Sequence, residues 1–412
     1  MAKGKRPFFF WFFLVVSSLI VLFILTLIVL PYLLNLNLVK SKISYELEKR
    51  YQISTQIGSL SLSLLPRPKV VLKETKISSD TFKAYLPIAL TYPKLWPLLQ
   101  QKVEIDAIIL EKTQLKTFIK TTPKSKSLNE IIKNVSQKLE AFAFRTNIKL
   151  KDASLELLKE GEPFLKANSI NLAAAIEDSQ ILLETNFTTP FSQEVFIKGR
   201  INLLAGFEGK AHLKNLRLEH LPFIPLNWEI AKTKMDLELT FEGESPTRFN
   251  LGFNLFLPYF IAKSEELSLE GGFIQGSLLR KEKLWQLRLS KLEFKDPQIK
   301  GHGFFTIDPK ENRIAYNFKG QKLDIAGLRN LLVSFFPKNK DLKTVFSIIL
   351  GGKLQNLTLS QSVRTKKELK GLENFVIKTQ VNAAEVNIPE IGLKIKNGQG
   401  EITLREGILY GE

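Results

Sequence analysis

The chain has 412 residues, 44% hydrophobic and 24% charged, which is the composition of folded rather than disordered protein. It contains no cysteine, which excludes disulfide frameworks, thiolate metal sites and cysteine nucleophiles. Its formal net charge of +18 has no compact basic block behind it. That argues against nucleic acid and leaves lipid headgroups or a solvated lysine-rich surface as its meaning.

In chain order, residues 8–30 form an apolar run interrupted only by Ser17, Ser18 and Thr26. As a helix it would span roughly 34 Å, enough for a hydrocarbon core of about 30 Å. Trp11, Phe12, Leu14, Leu22 and Leu30 lie in this run, and Tyr32 follows it. Trp11 and Tyr32 suit the two interfaces, and Pro31 stops the helix. The run exceeds the h-region of a cleaved leader, and no small-residue cleavage site follows. The expectation is therefore a retained signal anchor. Residues 1–7 would be a cytoplasmic tail and the body would lie outside the cytoplasm, in the periplasm of a double-membrane bacterium.

A short amphipathic helix is expected next, with Val39, Ile43 and Leu47 four residues apart. The period then changes to two. Leu60, Leu62 and Leu64 alternate with serines, the pattern of a half-buried strand. Pro66 and Pro68 break that strand, and residues 70–77 read as the next one. Residues 103–110 and 113–119 are expected to form a further strand pair. A helix is predicted with Leu128, Ile131, Ile132, Val135, Leu139 and Phe142 on one face, opened by a Ser127–Glu130 capping box.

From about residue 148 onward, strands dominate. Val195 and Ile197 oppose Lys198. Met235, Leu237, Leu239 and Phe241 oppose Asp236, Glu238 and Thr240. Phe249, Leu251, Phe253 and Leu255 oppose Asn250 and Asn254, and Tyr316 and Phe318 oppose Asn317 and Lys319. A second helix is expected over residues 325–336. About twenty strands with one apolar face each imply mainly β structure in an antiparallel sheet. Such a face is covered by a second sheet, by closure into a barrel, or by a ligand.

Two stretches then carry a resemblance. KISYELEKRYQISTQIGSLSLSLLPRPKVVLKETKI over residues 42–77 places a helix, alternating strands, a proline break and a strand after the anchor. Residues 95–132 run from LWPLLQQKVEIDAIILEKTQLKTFI to SLNEII, in the order strand, turn, strand, loop, helix. Together they resemble the N-terminal region of the AsmA-like family. The closing LKIKNGQGEITLREGILYGE resembles the strand–Gly–strand units found later in such proteins.

The resemblance implies a single-pass inner-membrane protein whose periplasmic body is an elongated, curled β-sheet with an apolar groove. In that scheme residues 31–145 are the family's N-terminal region with capping helices, and residues 146–412 are the repetitive groove. It implies phospholipids and the inner membrane as partners, with outer-membrane or other envelope proteins at the far end. Groove residues would be Leu60, Leu62, Leu64, Val195, Ile197, Leu237, Leu239, Phe241, Leu251, Phe253, Leu255, Tyr316 and Phe318. The rival reading is a scaffold for outer-membrane protein assembly with a closed β-sandwich body.

No catalytic constellation, cofactor motif or metal spacing is found. His212, His220 and His302 are scattered, and Gly301-His302-Gly303 reads as a strand kink or turn. Asp236 and Glu238 are expected to be solvated. The chain ends at Glu412 on a strand pattern without a cap. The expectation there is a truncated product or a partner completing the far end.

Overall fold

The computed structural model describes residues 16–19, 21–22, 36–94, 96–97, 100, 104–119, 145–177, 179–202, 205–221, 230–262, 268–335, 347–365, 368, 374–388 and 392–411. Among them are 21 β-strands and few helices, so the fold is mainly β and mostly antiparallel. Within the expected anchor, residues 16–19 and 21–22 are helical, and Val16, Leu19, Val21 and Leu22 are exposed. The rest of the anchor, including Trp11, Phe12, Leu14, Leu30 and Tyr32, lies outside the described residues, as does the predicted helix at 127–142. Among the described residues, no helix is long and apolar enough to cross a membrane.

The chain divides into two compact units at Phe187/Thr188. The first opens with α1 (Leu36–Tyr51), followed by β1 (Ser54–Gln56), β2 (Ser59–Ser63), β3 (Lys69–Ser78) and β4 (Phe82–Pro93). Then come β5 (Ile105–Glu111), β6 (Gln114–Ile119), β7 (Thr146–Lys159), β8 (Glu162–Glu177) and most of β9 (Gln180–Thr189). One expectation is corrected here. β5 and β6 do not pair with each other; both pair with β4, β5 along its C-terminal half and β6 along its N-terminal half. They are two segments of one strand, interrupted at Lys112 and Thr113. Both then pair with β7 in parallel, so the sheet is not antiparallel throughout. A two-residue hairpin cannot join parallel neighbours; they need a crossover of a dozen or more residues. The segment between Ile119 and Thr146 is long enough for one.

The second unit holds β10 (Ser192–Asn202), β11 (Gly206–Leu216), β12 (Ile230–Ser245), β13 (Arg248–Ala262), β14 (Ser268–Lys281) and β15 (Leu284–Phe294). It continues with β16 (Ile299–Asp308), β17 (Arg313–Asp324), α2 (Ile325–Phe335), β18 (Ile349–Val363), β19 (Phe375–Ile388), β20 (Leu393–Arg405) and β21 (Ile408–Gly411). Each strand from β10 to β21 pairs antiparallel with the next. At about 4.8 Å per strand this meander runs about 53 Å. Asp324 caps α2, its Oδ2 accepting the Gly327 amide at 2.8 Å.

In both units residues with left-handed backbone stand directly before buried ones at several places in the sheet. In the first unit Glu74, Lys112 and Asp152 adopt left-handed backbone (φ 52°, 55° and 52°). Each is followed directly by a buried residue: Thr75, Thr113 and Ala153. In the second unit Asn215, Lys322 and Ala383 do the same, ahead of buried Leu216, Leu323 and Ala384. At Asp152, Asn215 and Ala383 the register shifts, as in a bulge, which adds one residue to a strand and re-aims the next side chain; at Glu74, Lys112 and Lys322 the register runs on unshifted. Asp236 serves one of these bulges: its Oδ1 accepts the Asn215 amide at 2.7 Å. It was expected to be merely solvated. Glu238, its neighbour on the polar face, accepts from Asn254 at 3.3 Å.

Aromatic rings lie over glycines on adjacent strands of the second unit. A methyl group on Gly276 would sit 2.7 Å from Phe253 Cζ, and one on Gly209 would sit 2.6 Å from Phe241 Cζ. Gly301 and Gly303 stay in register with β17, and the Phe318 ring covers Gly301. They form neither kink nor turn; the irregularity lies opposite them in β15, between Leu289 and Leu292. Gly276→Val is expected to displace the Phe253 ring and press on the Arg288 carbonyl. The loss should be about 1–3 kcal/mol, checked by chemical denaturation.

Candidate apolar binding face

Register turns the alternating strands of the second unit into rows of side chains. One row starts at Ile197 and runs Ala211, Leu239, Phe253, Gly276, Leu289, Gly303, Phe318, Leu359, Ile377, Leu404 and Leu409. Every position on all twelve strands is apolar or glycine. A parallel row two residues away starts at Val195 and passes through Leu213, Leu237, Leu255, Ile274 and Leu292. On the other side, Phe241, Leu251, Leu278, Leu287, Phe305 and Tyr316 form a third. The opposite face is polar: Lys210 pairs with Thr240, and His212, Glu238, Asn254, Gln275 and Lys291 fall in one line.

Burial along this face is graded. At one end of the strands a core forms from Leu216, Met235, Leu257, Phe294, Ile299, Leu323 and Leu354, where Ile325 and Leu328 of α2 and Leu218 of a short 3-10 turn pack onto the sheet. The row containing Leu213, Leu255, Ile274 and Leu292 packs against that core and is partly buried. The row from Ile197 to Leu404 is half-buried along its described length, and so is the run from Phe241 to Tyr316 beyond it. Among the described residues, α2 and the 3-10 turn thus pack on one end of the apolar face, while the rows along its middle are half-buried; Ile314 and Val363 are buried at the other end. Rows two residues apart are separated by about 6.7 Å, so five rows span about 27 Å. One leaflet of hydrocarbon is about 15 Å thick, so an extended acyl chain fits within that width.

The polar interruptions on this face are few. Tyr316 stacks edge-on against Phe375, with ring centroids 6.1 Å apart, and its burial pushes the phenol up to about 12. Its hydroxyl is therefore neutral at any physiological pH. At the rim formed by the hairpin ends, Phe249 meets Trp285 at 6.1 Å, and the Arg280 guanidinium lies 4.7 Å from the Trp285 ring centre. A cavity of about 610 Å³ opens beside this rim. Arg248 there pairs with Glu244 at 3.5 Å and with Glu282 at 2.9 Å, and Lys310 with Glu282 at 3.8 Å. The hydrogen bond from Arg248, with Lys310 nearby, holds the exposed Glu282 carboxyl below its ordinary range.

The predicted groove residues thus fall in two places. Val195, Ile197, Leu237, Leu239, Phe241, Leu251, Phe253, Leu255, Tyr316 and Phe318 share the apolar face of the second unit, with Val195 buried and the others half-buried. Leu60 and Leu62 belong to the first unit, opposite Leu72 and Val70 on β3; Leu64 follows the end of β2. Sequence reasoning missed the contributions of β14 and β15, including Ile274, Leu278, Leu287, Leu289 and Leu292. In β14 glycines occupy apolar positions and hide the alternation; counting glycine as apolar would have recovered it. The histidines stay apart: His212 on β11, His220 in the 3-10 turn, His302 on β16.

Compared with known protein families, residues 10–181 match the AsmA family. A comparison with curated proteins gives no match.

Proposed function

We propose that this chain, whose residues 10–181 match the AsmA family, is a membrane-anchored periplasmic lipid-transfer protein. Phospholipid tails lie along the apolar face of β10–β21 on their way from the inner toward the outer membrane, and this supply supports outer-membrane integrity. The observation that carries the reading is the unbroken apolar row from Ile197 to Leu409, half-buried where it crosses the open part of the sheet. Each methylene taken from water onto such a face is favourable by about 0.8 kcal/mol. Repeated rows of similar leucines and phenylalanines give many near-equal sites, which suits movement along the sheet better than tight capture at one place. The protein acts without chemistry of its own, as a conduit.

A scaffold with a closed sandwich would bury these rows. The burial pattern favours the lipid reading, since the row from Ile197 to Leu404 is half-buried, while core-like burial is reached at the α2 end and at a few positions such as Ile314 and Val363. The test is photo-crosslinking in living cells with a photoreactive residue at one position at a time. Positions 239 and 318 should yield phospholipid adducts, and positions 240 and 317, on the opposite face, should yield none. Equal yields from both faces, or protein adducts alone at 239 and 318, would count against a lipid conduit.

A further inference from the structure

The open rows of the apolar face carry a single charge among the described residues. Arg280 stands in register between Phe249 and Trp285, on the same face as Leu278. A lone guanidinium on an apolar face is costly unless it is hydrogen-bonded. Its holding is visible. Nη1 donates to the Pro246 carbonyl at 2.9 Å, Nε to the Glu282 carbonyl at 3.3 Å, and the cation lies over Trp285. These partners are neutral carbonyls and a ring, so they fix the group without cancelling its charge.

The surrounding carboxylates are engaged elsewhere. Glu244 and Glu282 pair with Arg248, Glu242 accepts from Asn250, and Asp308 accepts the Lys310 and Glu311 amides. The neighbouring cavity of about 610 Å³ leaves room beside the rim. An oriented guanidinium with free donors, next to space and at the edge of an apolar surface, matches a phosphate oxygen attached to hydrocarbon.

We infer that Arg280 is the headgroup-recognising residue of this face and takes the phosphate of a phospholipid whose acyl chains lie along the adjoining rows. This rests on the lipid reading above and adds selectivity to it: phosphate-bearing lipids are held at the rim, and neutral diacylglycerol is not. Trp285 is a positioning residue, since it acts through Arg280.

The test uses the full chain with a photoreactive residue at position 278, offered phosphatidylglycerol or diacylglycerol with the same acyl chains. Adducts with phosphatidylglycerol should exceed those with diacylglycerol by about tenfold. Arg280→Gln should bring the ratio near one, and Arg280→Lys should restore part of it. A preference that survives Arg280→Gln, or a ratio of one in the unaltered chain, overturns the assignment while leaving the conduit standing. No adduct with either lipid overturns both. Loss of the preference in excess inorganic phosphate would assign the site to free phosphate instead of a headgroup.

Discussion

Phe253→Asp is expected to abolish phospholipid adducts at position 239 while leaving the circular dichroism spectrum and unfolding midpoint close to those of the unaltered chain. Phe253 is the direct cross-strand partner of Leu239. Its ring is half-buried and lies on Gly276. A carboxylate there keeps access to water when no lipid is bound, so the folded state tolerates it. Acyl chains laid across it would bury an unpaired charge, at a cost of several kcal/mol. Each 1.4 kcal/mol is a factor of ten, so occupancy at that point should fall at least tenfold to a hundredfold. Cells carrying the variant should also become more permeable to large apolar antibiotics. In a closed sandwich the same change would place the charge inside a core and unfold the unit. Loss of the folded spectrum on Phe253→Asp would therefore favour the scaffold.

Leu323→Ala should do the reverse. Leu323 is 1% exposed and pairs with Leu354 where α2 covers the sheet. Truncating such a residue removes transfer energy and leaves a cavity, which together cost about 3 kcal/mol. The unfolding midpoint of the second unit should drop clearly in denaturant titration, with adducts at position 239 retained under conditions where the unit stays folded. The two substitutions separate two parts of one face. At the α2 end, leucines are buried and hold the unit together; along the middle rows, leucines and phenylalanines are half-buried. An unchanged midpoint for Leu323→Ala would mean that the α2 end is not the core of this unit.

That the chain is built mainly of strands was legible from alternation because the side-chain period of a strand is two, and a sheet with one apolar face must show it. Helix α1 was legible from its four-residue spacing, and α2 from its position before Pro337. The positions of the apolar residues on their own strands were read correctly as far as Met235, Leu237, Leu239 and Phe241 show. Where glycine replaced a side chain, as in β14, the pattern faded although the backbone kept it.

What the amino-acid order by itself determined was local: which residues of each strand share a face, that the chain is mostly β, and that one face of most strands is apolar. Pairing was not local. That residues 105–111 and 114–119 are one interrupted strand follows from β4 and β7 lying on either side of both, and only long-range hydrogen bonds can decide that. The left-handed residues within the strands are of the same kind. Nothing in Lys112, Lys322 or Ala383 as residue types calls for left-handed backbone, which β neighbours impose through register. Register also placed Arg280 among apolar residues, and the α2 packing set which end of the face is core and which length is open. Burial depends on what lies above a face, and that information resides in contacts between distant segments rather than in the alternation of any one of them.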